Sequence, residues 1–310
     1  MKEEAWIIRE RLIDIFEHNI LGKKADLSLY NANHDGKAGN WLEQQFGKSP
    51  DSDNSADFWG FELKNETTSK TTFGDWSPNY SVYKDKIGNN DVFSYRRIRD
   101  NQDLFCHFFG RPNEKKHNRY SWSGEPVPKI GSYNSYGQTI LVSDESDIYV
   151  LYSFDFDQRI NKSEIVPSHY QHNDVILAIW FGYRFPQNYS PKKNEKCLKD
   201  KFEDKFNQNG WFTCKTDENG YYNKICFGDP LSFEEWIEYV KKGIVYLDSG
   251  MYEGNGRPYQ SWRADNSFWD KLIQLEYDKD RIERRRYCIE HHLGAIAIDE
   301  YERIRKEEKS

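Results

Sequence analysis

The tetrapeptide Phe61-Glu62-Leu63-Lys64 alternates apolar and charged residues with the two-residue period of a β-strand. A strand here puts Phe61 and Leu63 on one face and Glu62 and Lys64 on the other. Asp57 lies just upstream, across a bend expected at Gly60, and Glu43 lies near the end of a short helical segment entered through Gly36 and Gly39. Glu-x-Lys recurs at Glu114/Lys116, Glu203/Lys205 and Glu307/Lys309, but in hydrophilic surroundings that read as solvated faces. The triplet at 62–64 alone is set among apolar residues with an acid upstream. A salt bridge on an exposed edge strand is the alternative for the triplet taken by itself.

Three carboxylates and a lysine converging on one face suit a hard divalent cation. Hydrolysis of a phosphodiester needs such an arrangement, because the substrate is an anion and its transition state gains negative charge. A cation neutralises that charge and acidifies a bound water, and a nearby ammonium orients the water.

The longer pattern comprises Gly36-Lys37-Ala38-Gly39, Leu42-Glu43, Phe46-Gly47, Asp57-Phe58, Gly60-Phe61-Glu62-Leu63-Lys64 and Lys70-Thr71-Thr72-Phe73. It resembles the PD-(D/E)xK nucleases, and within them the branch of MutH, MvaI and BcnI, over roughly forty residues. The resemblance implies Asp57, Glu62 and the Leu63 carbonyl as metal ligands, Lys64 as the water-activating lysine, and Glu43 as a helix acid at the same site. It implies Mg²⁺ as cofactor, with Mn²⁺ able to substitute, and Lys70 as a phosphate contact near the DNA backbone. Pro50-Asp51 offers a literal Pro-Asp pair and Asp53 is close by. Asp57 is preferred as first acid because it adjoins the apolar strand, whereas Asp51 and Asp53 sit in a polar loop.

The rest of the chain sets the frame. At 310 residues there is length for one large or two modest domains, and 16% aromatic residues mark a globular chain despite 31% charged residues. A net charge of −7 argues against a nonspecific coat on nucleic acid but is compatible with a locally basic cleft. The five cysteines make no C-x-x-C pair, which predicts reduced thiols rather than disulfides or a zinc framework. No apolar run reaches membrane length and none reads as a signal peptide, so a bacterial cytoplasmic location is expected.

Residues 2–18 have helical spacing, with Trp6, Ile8, Leu12, Ile13, Ile15 and Phe16 on the apolar side. Arg96, Arg97 and Arg99, then Lys115, Lys116 and Arg119, form basic clusters among aromatics that suit either a phosphate track or a solvated rim. Thr139–Val142, Ile148–Phe154 and Val175–Gly182 read as strands and are expected to complete the sheet that carries Glu62 and Lys64. His169 and His172 lack companion ligands and read as loop residues. Pro186 to Asn194 is the expected linker between a catalytic lobe, 1–185, and a recognition lobe with C-terminal helices, 186–310. Ser232 and Glu235 form a capping box opening a helix through Lys242.

The stretch from Ser249 to Trp269 opens rich in glycine and carries Arg257, Tyr259, Gln260 and Arg263, side chains suited to reading base edges. An Ω-loop of purely structural role is the alternative. Asn266 caps a helix expected to hold Phe268, Trp269, Leu272 and Ile273. Residues 278–308 read as two charged helices around His292-Leu293-Gly294; Arg284, Arg285 and Arg286 suit a phosphate contact, but the acids alternating with them favour a solvated helical face.

Taken together, the sequence predicts an α/β fold, a mixed β-sheet flanked by helices, restriction-endonuclease-like, with two lobes around a DNA cleft. The expected activity is Mg²⁺-dependent cleavage of double-stranded DNA at a short specific sequence, with a cognate DNA methyltransferase in the same system. A MutH-like nicking enzyme and a non-catalytic DNA-binding module are the rival readings.

Overall fold

The computed structural model describes residues 2–28, 30, 36–48, 54–84, 93 and 97–290. Asp51, Asp53, Arg96 and the segment around Gly294 lie outside the described residues. The chain forms two compact units, each assembled from separated stretches. The first draws on the spans Met1–Thr67, Gln208–Pro230 and Asp270–Ser310, the second on Thr68–Asn207 and Leu231–Trp269. The linear division expected after residue 185 coincides with neither, because the strands that pair with Phe61–Lys64 come from beyond residue 208.

In the first unit a four-stranded mixed sheet runs in the order Phe61–Lys64, Gly210–Thr216, Tyr222–Gly228, Ile273–Asp278. The first pair is parallel and the others are antiparallel. The alternation seen in the sequence sorts the two faces. Phe61, Leu63, Phe212, Cys214, Ile225, Phe227 and Tyr277 turn to a core that also takes Leu12, Ile13 and Phe16 of helix Lys2–Asn19 and Trp41 and Leu42 of helix Lys37–Gln45. Burying each large apolar side chain contributes about 1.5–3 kcal/mol, so this face decides how the sheet is held. Helix Lys279–Glu290 adds Ile282 to that core, and its Arg285 pairs with Glu10 and Asp14 at 2.5 and 3.0 Å. Arg285 is therefore buried and structural, not solvated.

The second unit contains the strands expected around 139–182, but not in the sheet of Glu62. They form their own antiparallel sheet in the order Tyr80–Ser81, Val175–Trp180, Ile148–Asp157, Tyr136–Val142. Hairpin neighbours close on each other at little entropic cost, while Phe61–Lys64 pairs with Gly210–Thr216. A further sheet joins Lys70–Asp75, Gln260–Asp265 and Tyr246–Ser249. The segment expected as loop to Arg263 is thus a strand from Gln260 onward, and the helix at Asn266 stops at Lys271 before strand Ile273–Asp278. The capping box is present: Ser232 Oγ accepts from the Glu235 amide at 3.2 Å, and Glu235 accepts from the Ser232 amide at 3.0 Å.

Candidate active site

Phe58 and Phe61 exchange both backbone hydrogen bonds, at 2.9 and 2.8 Å, across a two-residue turn. Trp59 and Gly60 at its centre both have positive φ, 48° and 90°, as a type I′ hairpin turn requires. Gly60 cannot be replaced freely, since a Cβ there would lie 2.8 Å from Asn209 Nδ2. Asn209 clamps the turn, its amide donating to the Gly60 carbonyl at 2.9 Å and its Nδ2 to the Trp59 carbonyl at 2.8 Å. Upstream of the turn Asp57 is folded back against the strand, where its carboxylate meets the Leu63 amide.

The strand then fixes the remaining groups. All of its residues are buried, Glu62 at 2% exposure and Lys64 at 8%. Lys64 Nζ lies 2.8 Å from Glu62 Oε1. An exposed edge-strand salt bridge is excluded by that burial. Removing two charges from water is costly and recovered only in part by their attraction, so the pair is a candidate for chemistry rather than a source of stability. Beside them on the same face, from the parallel register, are Trp211 opposite Glu62 and Thr213 opposite Lys64.

Asp57 is held from two sides. Its Oδ2 accepts from the Leu63 amide at 3.1 Å and its Oδ1 from Lys48 Nζ at 2.8 Å. The amide and carbonyl of a strand residue project from the same strand edge, so the Leu63 carbonyl opens on the side of Asp57. Two carboxylates and one main-chain carbonyl are hard oxygen donors. This set fits Mg²⁺, which binds through one or two carboxylates and keeps several waters.

Glu43 is half-buried on helix Lys37–Gln45, whose Trp41 and Leu42 face the core. Among the described residues no group of three or more His, Cys, Asp or Glu is gathered to hold a metal. Through the Leu63 amide Asp57 is tied to the strand on which Lys64 pairs with Glu62, while Glu43 lies on the helix that Lys48 follows. A second ion-pair group, Lys215 with Glu66 and Asp270, lies in the same unit. Burial depresses the Lys215 ammonium, but hydrogen bonds to Asp270 and Glu66 outweigh it and hold its pKa above the usual lysine range.

The expected DNA-contacting residues separate by environment within the second unit. Lys70 Nζ and Arg263 Nε both approach Asp248 Oδ2, at 2.7 and 2.9 Å, so one carboxylate serves two cations. Arg257 is exposed. Tyr259 is 41% exposed and lies over Gly250, where a Cβ would fall 2.0 Å from its ring. Gln260 corrects the expectation: it is 3% exposed on a strand, with its side chain beside Tyr83, so it does not present its amide to a base edge. Helix Ile98–Phe109 braces the loop, Gln102 Nε2 donating to the Asn255 carbonyl at 3.1 Å and Asp103 accepting from the Gly254 amide at 2.8 Å. Lys48, Asn209 and Asp248 carried no sequence signal; each becomes visible only through its contact.

The sequence matches the family of the LlaMI restriction endonuclease over residues 20–277. It is 53% identical over 266 residues to the type II restriction enzyme ScrFI of Lactococcus lactis subsp. cremoris, a match covering 86% of this chain and 97% of that one. The structure resembles restriction endonuclease MvaI in complex with its cognate DNA substrate, with a TM-score of 0.51 and 11% identity over 87% of this chain and 97% of MvaI. At that identity the likeness speaks for the fold, which is that of a restriction endonuclease.

Proposed function

The chain belongs to the LlaMI restriction endonuclease family, and from that premise we propose that it hydrolyses double-stranded DNA at a short specific sequence in a Mg²⁺-dependent reaction. One observation carries the assignment of the site: a buried Glu62–Lys64 ion pair on the strand edge where Asp57 is folded back by the turn at Gly60.

Asp57, Glu62 and the Leu63 carbonyl are the residues that would hold the cation, and Mn²⁺ is expected to substitute. When bound, the cation neutralises phosphoryl oxygens and acidifies water. The chain supplies the rest. Lys64 Nζ, in a water-poor setting, orients the attacking water and stabilises charge developing on the phosphoryl group. The Asn209 clamp and the type I′ turn hold Asp57 against the strand of Glu62, which keeps the reacting groups aligned. Glu43 assists from its helix. Water attacks phosphorus and the P–O3′ bond breaks, leaving 5′-phosphate and 3′-hydroxyl ends.

Lys70 and Arg263 contact phosphate, with Asp248 tempering their charge, while Arg257 and Tyr259 read the DNA from a braced loop. Arg257 is suited to a bidentate contact with guanine. A bacterial cytoplasmic location and a cognate methyltransferase protecting host sites complete the reading. No helix among the described residues is long and apolar enough to cross a membrane.

The test is digestion of plasmid and phage DNA by the purified chain with Mg²⁺, with EDTA and with Lys64→Ala. Discrete fragments that vanish with EDTA and with the variant are expected. Nicks alone would favour a MutH-like enzyme, and binding without cleavage on methylated and unmethylated DNA would leave only a DNA-binding module.

A further inference from the structure

We propose that Lys48 is a positioning residue of the hydrolytic site: its ammonium is the resident counter-ion of Asp57, and a divalent cation must displace it to bind. The proposal rests on the assignment of Asp57 as a metal ligand.

Lys48 reaches Asp57 from a fixed backbone. Its amide donates to the Glu43 carbonyl at 2.9 Å and the Gly47 amide to the Gln44 carbonyl at 3.0 Å, with Gly47 at φ 89°. This is the Schellman motif that closes helix Lys37–Gln45. The cap anchors Lys48 at its main chain, while the flexible side chain spans to Asp57 Oδ1 at 2.8 Å. Both groups are largely withdrawn from solvent, Lys48 at 18% and Asp57 at 13% side-chain exposure.

Each of the two acids assigned to the metal therefore has its own lysine at the same distance, Lys48 on Asp57 and Lys64 on Glu62, 2.8 Å in both pairs. These ammonium groups neutralise the two carboxylates where solvent is largely excluded. A dication ligated by Asp57 would lie within a few ångströms of the Lys48 ammonium, and like charges that close repel strongly away from bulk water. Metal loading is then a cation exchange, in which Lys48 leaves Asp57 as the metal arrives. A DNA phosphate offers the released ammonium a new partner, so substrate favours the exchange. The consequence is a deliberately weak metal site in the absence of DNA.

The test is Mn²⁺ binding to the DNA-free protein, followed by the electron paramagnetic resonance of free Mn²⁺. Lys48→Met is expected to tighten the site about tenfold, equivalent to roughly 1.4 kcal/mol, and Lys48→Arg to keep the wild-type affinity. Lys48→Gln serves as a second neutral variant should the methionine disturb folding. Asp57→Asn identifies the site by abolishing the binding. Affinity that depends on Asp57 but is unchanged or weakened in both neutral variants overturns the role of Lys48 alone. Binding indifferent to Asp57→Asn overturns the metal-site reading, and the role of Lys48 with it.

Discussion

Lys64 Nζ stands 2.8 Å from Glu62 Oε1, and the carboxylate it faces is 2% exposed. A pair so placed gives stability and activity separate signatures. Lys64→Ala strands a buried carboxylate, which costs about 3–5 kcal/mol, and is expected to lower cleavage by about 10²–10⁴-fold. The double variant Glu62→Gln, Lys64→Met removes both charges. It should regain much of the stability in urea unfolding while remaining inactive on plasmid DNA.

Gly60→Ala tests the turn that sets Asp57. The substitution puts a side chain at φ 90° and within 2.8 Å of Asn209 Nδ2. A loss of about 1–3 kcal/mol in thermal or urea unfolding is expected, together with cleavage impaired beyond what that loss explains. Wild-type cleavage in a folded Gly60→Ala protein would show that the hairpin register is not needed to align the acids.

Arg257 and Gln260 are three residues apart but predict opposite outcomes. Arg257→Ala leaves unfolding unchanged and weakens discrimination at one base pair by about 1–3 kcal/mol, read from cleavage of a set of single-substitution DNA sites. Gln260→Ala removes a polar side chain buried beside Tyr83. It should destabilise the protein by about 1–3 kcal/mol and leave the ranking of DNA sites intact.

The thiols provide a check on the interior. Burial pushes Cys106 and Cys226 up to about 12 and Cys197 to about 11, and raises Cys214 well above the usual thiol range. These groups hold their protons through pH 8, since a raised thiol pKa delays thiolate formation. Alkylation of the native protein at pH 8 should therefore label Cys288, the half-buried one, ahead of the rest. Denaturant should expose all five thiols without added reductant. A requirement for reductant would reveal a disulfide and contradict the free thiols of the structure.

Local pattern was enough for the strand that carries the chemistry. A two-residue alternation dictates that Glu62 and Lys64 share a face, and a glycine before it permits the turn that returns Asp57; both are short-range consequences of side-chain stereochemistry. The capping box at Ser232 and the amphipathic first helix were legible for the same reason. The length and type of these elements depend on neighbours within a few residues.

What the chain order could not reveal is which distant segments complete each element. Phe61–Lys64 has its strand partner at Gly210–Thr216, roughly 150 residues away, while the nearer strands at 136–180 pair among themselves. No local period encodes that choice; it follows from which apolar faces can be buried together. The same holds at the site. Lys48 on Asp57, Asp248 between Lys70 and Arg263, and the inward turn of Gln260 are contacts made by packing. Sequence alone determined which residues can perform the chemistry, because charge and alternation are written residue by residue. Tertiary structure decided which of them are buried, paired or presented, because solvent exclusion and counter-ions are supplied by parts of the chain far away in sequence.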